Sequence, residues 1–232
     1  MLQSAFMRAG FVALGAVGAG LLGLAASATA GSIAGRVELL EKGGRPASDL
    51  SDVVVYVEGV SVKVRAPKKP AATIVMKGKA FTPHLVVVPV GGTVAFPNQD
   101  PIFHNAFSVS GANRFDLQLY KKPKAASWTF EHPGIVRVYC NIHPQMSAVV
   151  VVRDNPFYTQ AAQDGSFAIE GVPAGKYVLS AWQERVPQPA SAEVMVPAEG
   201  RVEGQLSLDA SKYKREAHLN KFGKPYPAGE RY

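Results

Sequence analysis

Cysteine occurs once in the 232 residues, tryptophan twice and methionine five times. A single cysteine excludes an internal disulfide, and it excludes an iron–sulfur cluster, which needs several thiolates. Beyond the first thirty residues no run is long and apolar enough to cross a bilayer. Charged side chains make up only 19% of the chain, yet with 47% apolar residues it is too hydrophobic to stay disordered. Long helical patterns are missing too. In their place stand 22 glycines, 17 prolines and short runs of valine and isoleucine, a composition of strands joined by tight turns.

The N-terminus carries Arg8, an apolar run from Phe11 to Ala26 interrupted by glycines, and Ala28-Thr29-Ala30 before Gly31. This pattern reads as a signal peptide over residues 1–30, cut after Ala30. It implies an exported, periplasmic product without stable membrane insertion. The formal net charge is +7, and the tail 210–232 holds six basic and two acidic residues. Such a basic balance suits an acidic partner, an anionic membrane surface or simply a solvated face. Nucleic acid is set aside, because export and the lack of an aromatic-basic recognition motif argue against it.

Strands are expected at Ile33 to Leu40 and Val53 to Glu58, followed by a basic, proline-containing linker at 64–71. Eight more follow: Thr73 to Met76, Leu85 to Val90, Thr93 to Phe96, Asn105 to Val109, Phe115 to Leu119, Ser127 to Phe130, Val136 to Tyr139 and Ala148 to Val152. Eight strands are enough for an antiparallel sandwich. From Asn155 onward come five candidates, among them Ser166 to Glu170 and Tyr177 to Trp182, with Asp164-Gly165 as a hairpin turn. Adding the first two strands to these five gives seven, the count of a small Ig-like sandwich. The chain therefore reads as all-β, with one sandwich (67–152) inserted into another (31–66 and 153–209) and a basic aromatic tail (210–232). In a competing account the first two strands extend the middle module.

The outer segments carry a recognisable pattern in Gly35-Arg36-Val37, Val53 to Val57, Asp164-Gly165-Ser166-Phe167, Ile169, Val172-Pro173, Gly175 and Tyr177. This resembles the carboxypeptidase regulatory-like, or transthyretin-like, sandwich, and the resemblance implies a non-catalytic scaffold or docking role.

Chemistry concentrates in Cys140-Asn141-Ile142-His143-Pro144-Gln145-Met146, where a thiol, an imidazole and a thioether follow a β-branched strand. A fourth donor is available at His104, in Pro101-Ile102-Phe103-His104-Asn105. Taken singly, Cys140 and Met146 read as buried apolar filler. Taken together, two histidines, one cysteine and a weakly bound methionine are the donor set of a blue-copper site. Zinc would accept the cysteine and histidines but has little use for a thioether. His84 is the rival for the first histidine, His132 sits in a solvated turn, and His218 in the tail reads as unengaged.

The C-x2-H-x2-M spacing is similar to the ligand loop of the cupredoxins, in particular the amicyanin and plastocyanin branch, and the middle module as a whole resembles that family. Two-module members of this kind are often labelled methylamine utilisation proteins. The resemblance implies His104 as buried first ligand, Cys140 as thiolate, His143 as the more exposed ligand and Met146 as the long axial one. It further implies that Asn105 ties the two ligand loops together, and that one type 1 copper is bound per chain.

The function so implied is that of a periplasmic electron carrier and not of an enzyme. The edge of His143 would pass single electrons, within an apolar rim of Pro101, Ile102, Phe103 and Pro144. Lys121, Lys122 and Lys124 would steer an acidic redox partner such as a c-type cytochrome or a dehydrogenase. The alternative is a copper delivery or storage protein of the envelope, although the extra methionine or histidine clusters of such proteins are missing. The five histidines do not form the second centre that a multicopper enzyme needs.

Overall fold

Consecutive valines decide this architecture, because a strand buried on both faces has no reason to alternate. The computed structural model describes residues 30–62, 67 and 69–227, so the signal peptide read from the first residues lies outside them apart from Ala30. The strands are β1 (Ala30–Glu41), β2 (Arg45–Pro46), β3 (Val54–Glu58), β4 (Ala72–Thr73), β5 (Val75–Lys77) and β6 (Ala80–Thr82). They continue as β7 (Leu85–Pro89), β8 (Gly92–Pro97), β9 (Phe107–Ser108), β10 (Phe115–Asp116), β11 (Ala125–Phe130) and β12 (Gly134–Tyr139). The last six are β13 (Ser147–Arg153), β14 (Tyr158–Gln160), β15 (Ser166–Pro173), β16 (Gly175–Trp182), β17 (Ala190–Val196) and β18 (Arg201–Asp209).

Two β-sandwiches result. In one, the sheet β10-β9-β12-β13-β7 faces the sheet β11-β8-β4, with the β5-β6 hairpin alongside. Phe96, Phe130, Val138, Val150 and Met146 lie in the core between them. In the other, β15-β1-β18 faces β14-β3-β16-β17 around Ile33, Val55, Leu179 and Leu208. Among the described residues, strand β1 pairs with β2, β15 and β18, and β3 with β14 and β16. The chain thus enters this second sandwich, leaves it, and returns at β14.

The sandwiches meet through Val54, Tyr56 and Trp182 on one side and Leu85, Val149 and Val151 on the other. Four sheets are therefore stacked in series, and β3 and β13, in the two inner sheets, are buried on both faces. Val55 and Val150 point into the sandwich cores while Val54 and Val151 fill the joint. The motif glycines have steric reasons. A Cβ on Gly35 would collide with the carbonyl oxygen of Gly204 on β18, and Gly165 holds φ +85° against Val37.

Boundaries moved where turns intervene. The strand expected at Thr73 to Met76 is broken at Ile74 into β4 and β5, and the unforeseen β6 folds back on β5. The strands expected at Asn105 to Val109 and Phe115 to Leu119 shrink to two residues each, because their neighbours are diverted into loops around His104.

Candidate metal centre

Strand β12 delivers Cys140 at the edge of the sandwich, and the chain turns back within seven residues to start β13. The Cys140 N–H donates to the Met146 carbonyl (3.2 Å) and the Met146 N–H to the His143 carbonyl (3.0 Å), so the loop is closed by its own backbone. His104 sits on the facing loop between β8 and β9, held by a reciprocal pair of backbone bonds with Tyr120 (3.0 and 2.9 Å). The Asn98 side chain donates to the carbonyls of Ile102 and Tyr120 and fixes that loop from below.

The two loops bring His104, Cys140 and His143 together, with donor atoms all within 4.8 Å of one another. His104 Nδ1 and His143 Nδ1 are 3.0 Å apart, and Cys140 Sγ lies 3.7 Å from His143 Nδ1. Met146 is fully buried, as are Cys140 and His104, whereas His143 retains 7% exposure. Behind His104, its Nε2 lies 2.8 Å from Asp100 Oδ2. A carboxylate only accepts, so the ring proton sits on Nε2 and the Nδ1 lone pair faces the other two donors. Asp100 also accepts from the N–H groups of Gly78 (2.8 Å) and Lys79 (3.0 Å), which anchors the β5–β6 turn to the same point.

Charge at the site follows from burial and these bonds. Burial works to raise the Asp100 carboxyl, but the N–H groups of Lys79 and Gly78 and the His104 ring outweigh it and bring its pKa down to about 2. Burial pushes the Cys140 thiol up, against the pull of the backbone N–H groups of Asn105, Ile142 and His143. Burial, with the neighbouring His104 and Lys79, lowers His143, although Asp100 acts the other way. A neutral thiol and a neutral His143 at neutral pH therefore stand ready to bind a cation, and the thiol would give up its proton on binding. One thiolate and two imidazoles, dry and convergent, are a donor set that fits copper.

Asn105 is buried, accepts from the Asn141 N–H (2.8 Å) and donates to Asp116 Oδ1 (3.2 Å), so its side chain spans the two loops. His84 is placed apart from the cluster, between the Ser147 carbonyl (3.1 Å) and Glu184 Oε1 (3.0 Å) of the other sandwich. The backbone carbonyl of His132 accepts from Asn113 Nδ2. His218 is not unengaged as expected: its Nε2 lies 2.7 Å from the Pro144 carbonyl and its ring stacks on Tyr139 at 3.9 Å. Sequence reasoning also missed Asp100. Its one signal was a carboxylate four residues before a candidate ligand, hidden in Asn98-Gln99-Asp100-Pro101, which reads as a turn.

No family model and no curated protein matches the chain. Solved structures do. The similar structures include cupredoxins. A purple cupredoxin from Nitrosopumilus maritimus is 24% identical over 35% of this chain and 99% of its own, with a TM-score of 0.32. An amicyanin with one methionine replaced by alanine, in the Cu(I) form, is 25% identical over 43% of this chain and 98% of its own, with a TM-score of 0.35. A copper-containing nitrite reductase from Thermus scotoductus SA-01 is 28% identical over 41% of this chain, with a TM-score of 0.36, and the chain spans only 25% of that protein. With these TM-scores below 0.5, the reading of the centre stands on its own atoms.

Proposed function

We propose that this chain is a type 1 copper protein that carries single electrons between redox partners in the periplasm. The observation that carries the reading is the buried convergence of Cys140 Sγ, His143 Nδ1 and a His104 Nδ1 whose lone pair is aimed by Asp100. His104, Cys140 and His143 would hold the metal, with the Met146 thioether as a weak fourth donor. A copper ion held there would supply one-electron chemistry, and these side chains would keep it buried and fixed between an electron donor and an acceptor. A site fixed from two loops changes little when the charge changes, which keeps the barrier to such transfer low.

The remaining work falls to side chains. Cys140, His104 and Met146 are shut off from water, while His143 keeps 7% exposure, and its ring would be the route for the electron. On the His104 loop Pro101, Ile102 and Phe103 are exposed, with Lys121 over the Phe103 ring at 5.3 Å, and Leu119, Lys122 and Lys124 are exposed nearby in sequence. An apolar rim with lysines beside it suits brief docking of an acidic redox protein such as a c-type cytochrome or a dehydrogenase. No helix among the described residues is long and apolar enough to cross a membrane. The leader 1–30 would export the protein. Residues 31–66 with 153–209 would form one discontinuous carboxypeptidase regulatory-like domain serving as a non-catalytic scaffold.

The test is a visible absorption and EPR titration of residues 31–232 with Cu(II), followed by reduction and reoxidation. An intense thiolate-to-copper band at one copper per chain that bleaches and returns supports the carrier. A colourless protein that holds only Cu(I), or a band that never recovers, supports delivery or storage instead.

A further inference from the structure

The last described segment, residues 211–227, leaves β18 in the outermost sheet and ends against the ligand loop of the other sandwich. Its contacts there gather on Cys140 and the residues around it, with one more to Asp116. Tyr226 Oη donates to the Cys140 carbonyl (2.9 Å). His218 Nε2 donates to the Pro144 carbonyl (2.7 Å), its ring lies nearly parallel to that of Tyr139, and its Nδ1 is 3.4 Å from Tyr226 Oη. The Lys221 N–H donates to Asn141 Oδ1 (3.0 Å) and its Nζ to Asp116 Oδ2 (2.6 Å). The side chain of Asn220 accepts from the N–H groups of Phe222 and Lys224 and shapes the turn that presents Lys221.

Lys221 completes a closed circuit. Its backbone holds Asn141, whose N–H holds Asn105, whose amide holds Asp116, whose second oxygen returns to Lys221 Nζ. Asn141 follows Cys140 and Asn105 follows His104, so the circuit spans both loops of the centre. One side of it is a charge-assisted bond between half-buried groups, stronger than a neutral bond.

We propose that residues 211–227 are a strap that completes the metal centre, with Lys221, His218 and Tyr226 as positioning residues that keep the ligand loop closed over Cys140. The strap rests on the reading of that loop as the ligand loop, but its action on the thiol is independent of metal. Closing the loop from outside keeps the donors in place before a cation arrives, and it limits how fast solutes reach the sulfur. It also gives the second sandwich a role, because β18 anchors the strap.

The experiment measures the rate at which Cys140 of the metal-free chain, residues 31–232, reacts with a disulfide reagent such as 5,5′-dithiobis(2-nitrobenzoate). Global stability is followed in parallel by urea unfolding. Tyr226→Phe and the double substitution His218→Ala with Lys221→Ala are compared with the parent and with Lys221→Arg. The double variant is expected to react about tenfold faster with an unchanged urea midpoint, Tyr226→Phe less so, and Lys221→Arg to stay near the parent. Copper-loaded samples should then release Cu(I) to a chelator faster in the same order. An unchanged thiol rate, or a faster rate matched by an equal loss of global stability, overturns the strap. A chain that never develops a copper band while the thiol rates follow the expected order overturns the copper reading and leaves the strap standing.

Discussion

An asparagine at position 100 would fill the same space and still accept from Gly78 or Lys79, but it would bring no charge to the His104 ring. Its amide end could also donate, which would let His104 change tautomer and turn a proton toward the other donors. Asp100→Asn is therefore expected to weaken copper binding by roughly 10–100-fold, measured by competition with a chelator. Equal affinity would show that the tautomer is set by something else. Cys140→Ser should remove the coloured band altogether while leaving the circular dichroism of the fold unchanged, since serine fills nearly the same buried volume. Cys140, His143 and Met146 were legible as candidates because they share one short loop, whereas His104 had to be picked from the other histidines. Asp100 was not, since a turn-forming aspartate and one that faces a histidine look the same in sequence.

Among the strands, β13 makes the strongest demand on its neighbours. Val150 faces the core of its own sandwich, and Val151 faces Val54, Tyr56 and Trp182 across the joint. Val151→Ala should cost about 2 kcal/mol in urea unfolding, as much as Val150→Ala, because it loses the same apolar contact. A cost below about 0.5 kcal/mol would be that of a surface site and would mean the joint is not closed in solution. The same joint contains the His84–Glu184 pair. The bond to Glu184 raises the His84 pKa against desolvation, and the bond to His84 lowers Glu184. The histidine's contribution is complete below the ordinary value of 6.5 and fades as pH rises through its raised pKa, while the carboxylate's is complete above 4.5 and fades as pH falls through its lowered pKa. The pair is thus fully formed between those two values. His84→Ala should cost roughly 0.2–1 kcal/mol there, with the difference shrinking toward alkaline pH, and the copper band should be unaffected. Loss of copper in that variant would place His84 at the centre after all.

For the molecule as a whole, charge and layering set the expectations. With a net charge of +7 and exposed Lys121, Lys122 and Lys124, association with an acidic redox partner should slow as ionic strength rises, in a stopped-flow salt series. A rate indifferent to salt would remove the lysines from the docking surface. The layering also explains which signals could be read. Period-2 patterns such as Ile33, Val37 and Leu39 on β1 and Leu206 and Leu208 on β18 mark outer sheets wetted on one side, and these are visible in sequence. The continuous runs of β3 and β13 say only that both faces are covered, and leave open what covers them.

What the amino-acid sequence determines by itself is local: strand-forming runs, turn glycines such as Gly165, and a cysteine, histidine and methionine on one loop. Backbone preference and short spacing act over a few residues, so they leave their mark within a few residues. Tertiary structure alone decided that the two sandwiches stack through a valine face, that Asp100 orients His104, and that Lys221, His218 and Tyr226 reach the ligand loop. The contacts of that last segment join residues far apart in the chain, from 74 positions for His218 and Pro144 to 105 for Lys221 and Asp116. A hydrogen bond of that kind depends on where the whole fold delivers its two ends, and no local pattern encodes that position.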